Sequence, residues 1–254
     1  MATETKNQLH QLLAVENDRK QKALQIVRET ASVFQKKPDH FDGLSKSYQP
    51  YEEGGQKIEP EIKEIVTTVD EKLSYTQKSV ITAIDATISK EETNASGTVK
   101  TELKVNGKGL GEFSATSLLA LESWLNVLRA LYKEIPTLDP VKVWNADPNA
   151  DKRGVFKTET ETKYRTQKIE TPLVVYEATK EHPAQVQMVT KDQQVGEYCT
   201  VYRSGKVTPA RKSEMLERLD NLIDATKRAR ARANKAEVIN AKIGKVIFDY
   251  IEQG

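Results

Sequence analysis

PARKSEMLERLDNLIDATKRARARANKAEVINAKIGKVIFDYIE, residues 209–252, contains no proline after its first position and reads as one long helix. Proline is tolerated at the start of a helix because the N–H it lacks would have no partner there. Met215, Leu219, Leu222, Thr226, Ala229, Ala233, Ala236, Ile243, Ile247 and Tyr250 recur in a four-three spacing broken only at Asn240. That spacing is the heptad pattern of helix-on-helix packing. Such a helix is about 65 Å long. A compact chain of this size has a diameter of about 45 Å. The helix outruns the globule, so the stripe predicts a helical partner, within the chain or on a second copy. The expected seam is Leu219, Leu222, Ala229, Ala233, Ala236, Ile243, Ile247 and Tyr250. Its face is wide at both ends, with Leu216 and Ile223 at one and Ile239 and Val246 at the other. It narrows to alanines between them, which predicts a tight central crossing.

Outward from this stretch, residues 1–36 hold a first long helix striped by Leu9, Leu12, Leu13, Leu24, Val27, Ala31 and Phe34. Lys37-Pro38 ends it, since the residue before proline avoids helical geometry. A polar loop with Gly43, Pro50, Gly54-Gly55 and Pro60 is expected next. Residues 60–140 read as a helix and hairpin region. A helix spans 69–92, and Asn106-Gly107 marks a tight turn between two strands. Ser114 or Thr116 caps a leucine-rich helix that Ile135-Pro136 stops. Residues 141–207 read as a small antiparallel sheet, from about 155 to 207, of three or four short strands, in which Phe156–Gln167 alternates strictly. Residues 208–254 are the long C-terminal helix. The order implies an α+β fold in a single elongated domain.

The composition narrows the function classes. Thirty-nine basic and 37 acidic residues leave a net charge of +2, which gives no general case for nucleic acid or membrane binding. The single cysteine, Cys199, rules out an intramolecular disulfide and fits a reducing compartment. No apolar run approaches the roughly 20 residues of a membrane span, and the polar first 19 residues lack a signal core. A cytoplasmic protein without cofactors is the expectation.

Chemical motifs are sparse. Residues 106–111 present G-x-G-x-G, not the dinucleotide spacing, and read as a hairpin turn. Asp147, Asn149 and Asp151 match the first ligands of a calcium loop, but Lys152 and Thr158 stand where glycine and glutamate belong, so no metal is expected. His182 and Gln185, in Glu181-His182-Pro183-Ala184-Gln185, lie between two strands, where a ligand site is one reading and a surface turn the other. Cys199 lies mid-strand with no matched base in sequence, and no catalytic residue is assigned. The basic block with Lys227, Arg228 and Lys235 is the one candidate for phosphate contacts. No aromatic residue interleaves with it, and Glu214, Glu217, Asp220 and Asp224 precede it, which favours a solvated or paired helix face. Acidic partners for the flanking Arg230 and Arg232 are expected from Glu16, Asp18 and Glu29 of the first helix, or from Glu237 or Glu217 of a second copy.

The runs Ile135-Pro136-Thr137-Leu138-Asp139-Pro140 and Tyr176–Gln185, with Trp144, Arg211-Lys212 and Leu216, resemble an uncharacterised family of bacterial cytosolic hypothetical proteins of similar length. The resemblance implies a bacterial, cytosolic origin but no activity, cofactor or site. Together these features point to a non-enzymatic structural or interaction protein that assembles with itself through long amphipathic helices. A nucleic-acid-associated protein using residues 227–235 is the alternative. A ligand-binding protein or enzyme with a site near His182 is the third reading.

Overall fold

The computed structural model of the protein describes residues 8–178, 182–234 and 243–252. Its helices are α1 (Leu9–Lys36), α2 (Val69–Asn94), α3 (Ala115–Lys133), α4 (Pro209–Ala233) and α5 (Ile243–Glu252). Its strands are β1 (Asp42–Pro50), β2 (Glu61–Lys63), β3 (Lys100–Val105), β4 (Lys108–Ser114), β5 (Asn145–Ala146), β6 (Phe156–Lys157), β7 (Glu161–Tyr176) and β8 (Gln185–Ser204). The fold is α+β with antiparallel sheets. The chain divides into two compact units, one drawn from Met1–Leu24, Ser79–Ala130 and Leu216–Gly254, the other from Gln25–Lys78 and Leu131–Met215.

In the first unit, β3 and β4 form the hairpin foreseen at Asn106-Gly107. Both turn residues have left-handed backbones, φ 49° and 81°, the geometry that fits the twist of the flanking strands. Ser114 then caps α3, its Oγ accepting from the Ser117 N–H at 3.3 Å. Glu92, near the end of α2, accepts from the Ser114 N–H at 2.8 Å and meets Lys100 Nζ at 2.9 Å. One carboxylate therefore ties the hairpin and the positive end of α3 to α2. Leu103 and Leu118 pack with Ala225, Ala229 and Ala233 of α4 in one buried cluster. The small residues of α4 thus lie against a hairpin and a short helix of the same chain.

In the second unit, α2 opens on a capping box that sequence reading missed. The Thr68 N–H donates to Glu71 Oε2 at 3.0 Å, and the Glu71 N–H donates to Thr68 Oγ1 at 3.2 Å. The sheet runs β2-β1-β8-β6-β5, with β7 also on β8. Two expectations are corrected here. The stretch after Pro38, read as a polar loop, contains β1, which pairs with β8 from Asp42↔Ser204 to Pro50↔Gly196. Its polar composition hid a strand whose partner lies about 150 residues away, a pairing that local pattern does not encode. The sheet is also larger than the small one expected at 155–207. Segments read as several short strands are two long ones of 16 and 20 residues, joined as a ribbon. At the root of this ribbon a Cβ on Gly196 would come within 2.6 Å of the Gln49 carbonyl oxygen, so only glycine permits this approach of β1.

The Ile135–Pro140 motif acts as a strap. Leu138 N–H donates to the Val207 carbonyl at 2.9 Å, and Lys212 Nζ donates to the Ile135 carbonyl at 2.8 Å. Arg211 forks onto both oxygens of Asp70, at 3.1 and 2.7 Å. The expectation of one helix over 209–252 meets α4 and α5. The segment 235–242 between them, with Lys235 and Ala236, lies outside the described residues.

Candidate functional site

Three features of the surface stand apart from ordinary packing: α5, the far end of the β7–β8 ribbon, and a charged cavity beside β1.

In α5, Ile243, Val246, Ile247, Tyr250 and Ile251 fall on one arc, and Lys245, Asp249 and Glu252 on the other. None of its residues is buried, and exposure runs from 48% at Ile247 to 84% at Tyr250. Of the expected seam, Ile243, Ile247 and Tyr250 are therefore open to solvent. Ala229 and Ala233 are covered within the chain, and Leu219 and Leu222 are half-buried.

Beyond Gly196, β8 loses β1 and pairs only with β7. The ribbon there has two open edges. Its last rungs, Pro172↔Met188, Leu173↔Gln187 and Val174↔Val186, place apolar side chains on both faces. Leu173, Val174, Val175, Tyr176, Val186 and Met188 are all exposed. His182 and Gln185 sit at this tip, also exposed, and line none of the cavities described below. Pro172 and Lys168 lie on the long edge strand β7, two devices that discourage edge-to-edge pairing. The faces of the tip, more than its edges, are left for contact.

Alternation along β1, β2 and β8 puts Asp42, Leu44, Lys63, Tyr202 and Ser204 on one face of the sheet. With Asp139, Lys142, Trp144 and Lys206 they line a cavity of about 410 Å³. Lys206 Nζ reaches Asp42 at 2.6 Å, and Ser204 Oγ donates to the same carboxylate at 2.9 Å. Lys142 Nζ stands 3.0 Å from the centroid of the Tyr202 ring and 3.3 Å from Glu161. Trp144 Nε1 donates to the Asp139 carbonyl at 2.9 Å, which orients the indole. On the opposite face, Asp147, Asn149 and Asp151 line a smaller cavity of about 220 Å³ with Lys152, Lys157 and Arg203. Asp147 accepts from Lys157 at 3.2 Å and from the Asn149 N–H at 3.3 Å, with Arg203 at 3.8 Å. Burial pushes its carboxyl up, but the Lys157 and Asn149 hydrogen bonds and the two cations outweigh it and hold it below the usual range. The weak calcium motif is thus an Asx turn whose first carboxylate already faces two cations, and no metal-holding cluster occurs among the described residues.

Of the basic block, Lys227 and Arg228 are exposed, and Lys235 lies outside the described residues. Arg230 pairs with Glu122 of α3 at 2.9 Å, and Arg232 donates to the Glu102 carbonyl at 3.1 Å. The acid that meets this block within its unit is thus on α3. Glu16, expected there, is instead buried beside Lys90 at 3.1 Å. No described helix is long and apolar enough to cross a membrane.

A model of DUF7873, a family of unknown function, matches residues 6–253, so the chain belongs to that family. Neither the curated proteins nor the solved structures contain a match.

Proposed function

We propose that this member of the DUF7873 family is a non-enzymatic interaction protein that assembles with copies of itself through α5, with the ribbon tip as a second contact. The observation that carries this reading is the open apolar face of α5. A helix of ten residues is marginal in water by itself, since isolated helices need about 12–15 residues even in favourable sequences. One whose apolar face stays open to solvent requires a cover. Fully burying each of its large side chains is worth about 1.5–3 kcal/mol. Five such residues from each of two copies supply the roughly 8 kcal/mol of a micromolar association, even after the costs of ordering. The polar face carries one cation and two anions, Lys245 against Asp249 and Glu252. That balance does not suit an anionic membrane surface, which attracts lysine-rich helices.

Light scattering coupled to size exclusion at micromolar concentration tests the proposal. The full chain is expected to exceed its monomer mass of 28.6 kDa. A chain ended after Asn240, and the double variant Ile247→Asp/Tyr250→Asp, are each expected to fall to their own monomer mass. A full chain that already runs as a monomer, unchanged by either alteration, would defeat the assembly reading.

A further inference from the structure

We infer that the cavity on the Leu44–Tyr202 face of the sheet binds a small molecule consisting of a flat ring joined to an acidic group. The cavity is large enough for such a ligand, at about 410 Å³. Its lining is graded. Leu44, Tyr202 and Trp144 supply the apolar and aromatic surface against which a ring can lie. Two of its four cations are already matched: Lys206 by Asp42, and Lys142 by Glu161 and the Tyr202 ring. A third, Arg203, points from the Gly43 side of the sheet and turns its guanidinium toward Asp147, at 3.8 Å, in the opposite cavity. The fourth is not matched: among the described residues the Lys63 side chain has no hydrogen bond or ion pair.

The uncommitted charge of the cavity is therefore positive, and it comes from Lys63. Lys63 pairs with Leu44, which puts it on the Tyr202 face of the sheet. An acidic group at Lys63 gains a charge-assisted hydrogen bond without displacing a pair that already exists. The matched pairs have a different consequence. Asp42 and Glu161 hold Lys206 and Lys142 in place, so the aromatic wall is ordered before the ligand arrives and little side-chain freedom is lost on binding. Phosphate and carboxylate ligands share this chemistry. The site is independent of α5 and of the state of assembly.

Phenyl phosphate is the probe, titrated calorimetrically into the full chain, with inorganic phosphate and phenol as the acid without the ring and the ring without the acid. Phenyl phosphate is expected to bind at least about tenfold more tightly than either fragment, and Lys63→Gln and Trp144→Leu are each expected to weaken it by about tenfold. Lys63 is exposed, so its substitution leaves folding intact even if the tryptophan variant does not fold. In a Trp124→Phe background, Trp144 is the sole indole, and its emission should change on addition of the probe. Adenosine monophosphate and indole-3-acetate, tested in parallel, separate a nucleotide from an aromatic carboxylate as the natural class. Phenyl phosphate binding no tighter than inorganic phosphate, or binding unaffected by Lys63→Gln, overturns the proposal.

Discussion

Along the second half of α4 the apolar stripe is made of small residues, Ala225, Ala229 and Ala233, and it is buried against Leu103 and Leu118. Along α5 the stripe is made of large residues, Ile243, Ile247 and Tyr250, and it is open to solvent. Both belong to one run of four-three spacing, so the periodicity does not distinguish them. The difference lies in what each side chain meets. An alanine face lets the β3–β4 hairpin and α3 approach closely, and the surrounding leucines supply the bulk. An isoleucine and tyrosine face carries its own bulk and needs a partner of similar size. What each side chain meets, and not periodicity or volume alone, therefore separates a seam closed within the chain from one left for another molecule, since the large Ile223 of α4 is also buried.

The comparison breaks most visibly at Ala229, which is fully buried. Ala229→Arg forces a charge and a long side chain into the Leu103–Leu118 cluster. It should cost about 3–5 kcal/mol, read as a lower denaturant midpoint. By contrast, the α5 double substitution should leave the denaturant midpoint of the monomer unchanged and alter only the mass. Equal losses from the two would erase the distinction between the helices.

A smaller effect is expected at Glu92, which ties the hairpin beneath α4 to α2. Burial raises its carboxyl pKa, but hydrogen bonds from Ser117, Lys100 and Ser114 outweigh that and bring it down to about 2. The unfolded value is about 4.3. A carboxyl with a depressed folded pKa contributes stability that is present above the unfolded pKa and is lost as pH falls toward the folded one. The protein should therefore lose stability between about pH 5 and pH 2 through this group. Glu92→Gln should cost about 2 kcal/mol at neutral pH and flatten that acid slope. An acid limb identical to that of the parent would show that the group is not held as described.

The smallest effect belongs to Arg232, exposed and bonded, among the described residues, to the Glu102 carbonyl. Arg232→Gln should shift stability by about 0.5 kcal/mol, within the range of a single exposed hydrogen bond. A loss of several kcal/mol in equilibrium unfolding would mean that the basic block, not the alanine stripe, secures α4.

Much of the helical content was legible because its signals are local. Lys37-Pro38 stops α1, Ser114 caps α3, and Asn106-Gly107 turns the hairpin, each through the backbone preferences of two or three adjacent residues. The capping box at Thr68 and Glu71 is equally local, two residues three apart at the start of a helix. β1 was not legible. Its residues, Asp-Gly-Leu-Ser-Lys-Ser-Tyr-Gln-Pro, are turn-like in composition, and it is a strand because β8 supplies its hydrogen bonds. The cavity was missed for the same reason. Lys63, Trp144 and Tyr202 come from three separate segments, and no spacing in the sequence announces them as neighbours.

By itself the sequence determined the helices of an α+β chain, one tight hairpin, the absence of an intramolecular disulfide, and a heptad stripe that demands a cover. These follow from backbone preferences and side-chain periodicity, which act over a few residues. Only the tertiary structure decided that β1 lies at the heart of the larger sheet, that Arg230 meets Glu122, and that Ala229 is closed inside the chain while Ile247 is not. Those outcomes depend on which surfaces distant segments bring together, and the energy of burial is indifferent to separation along the chain.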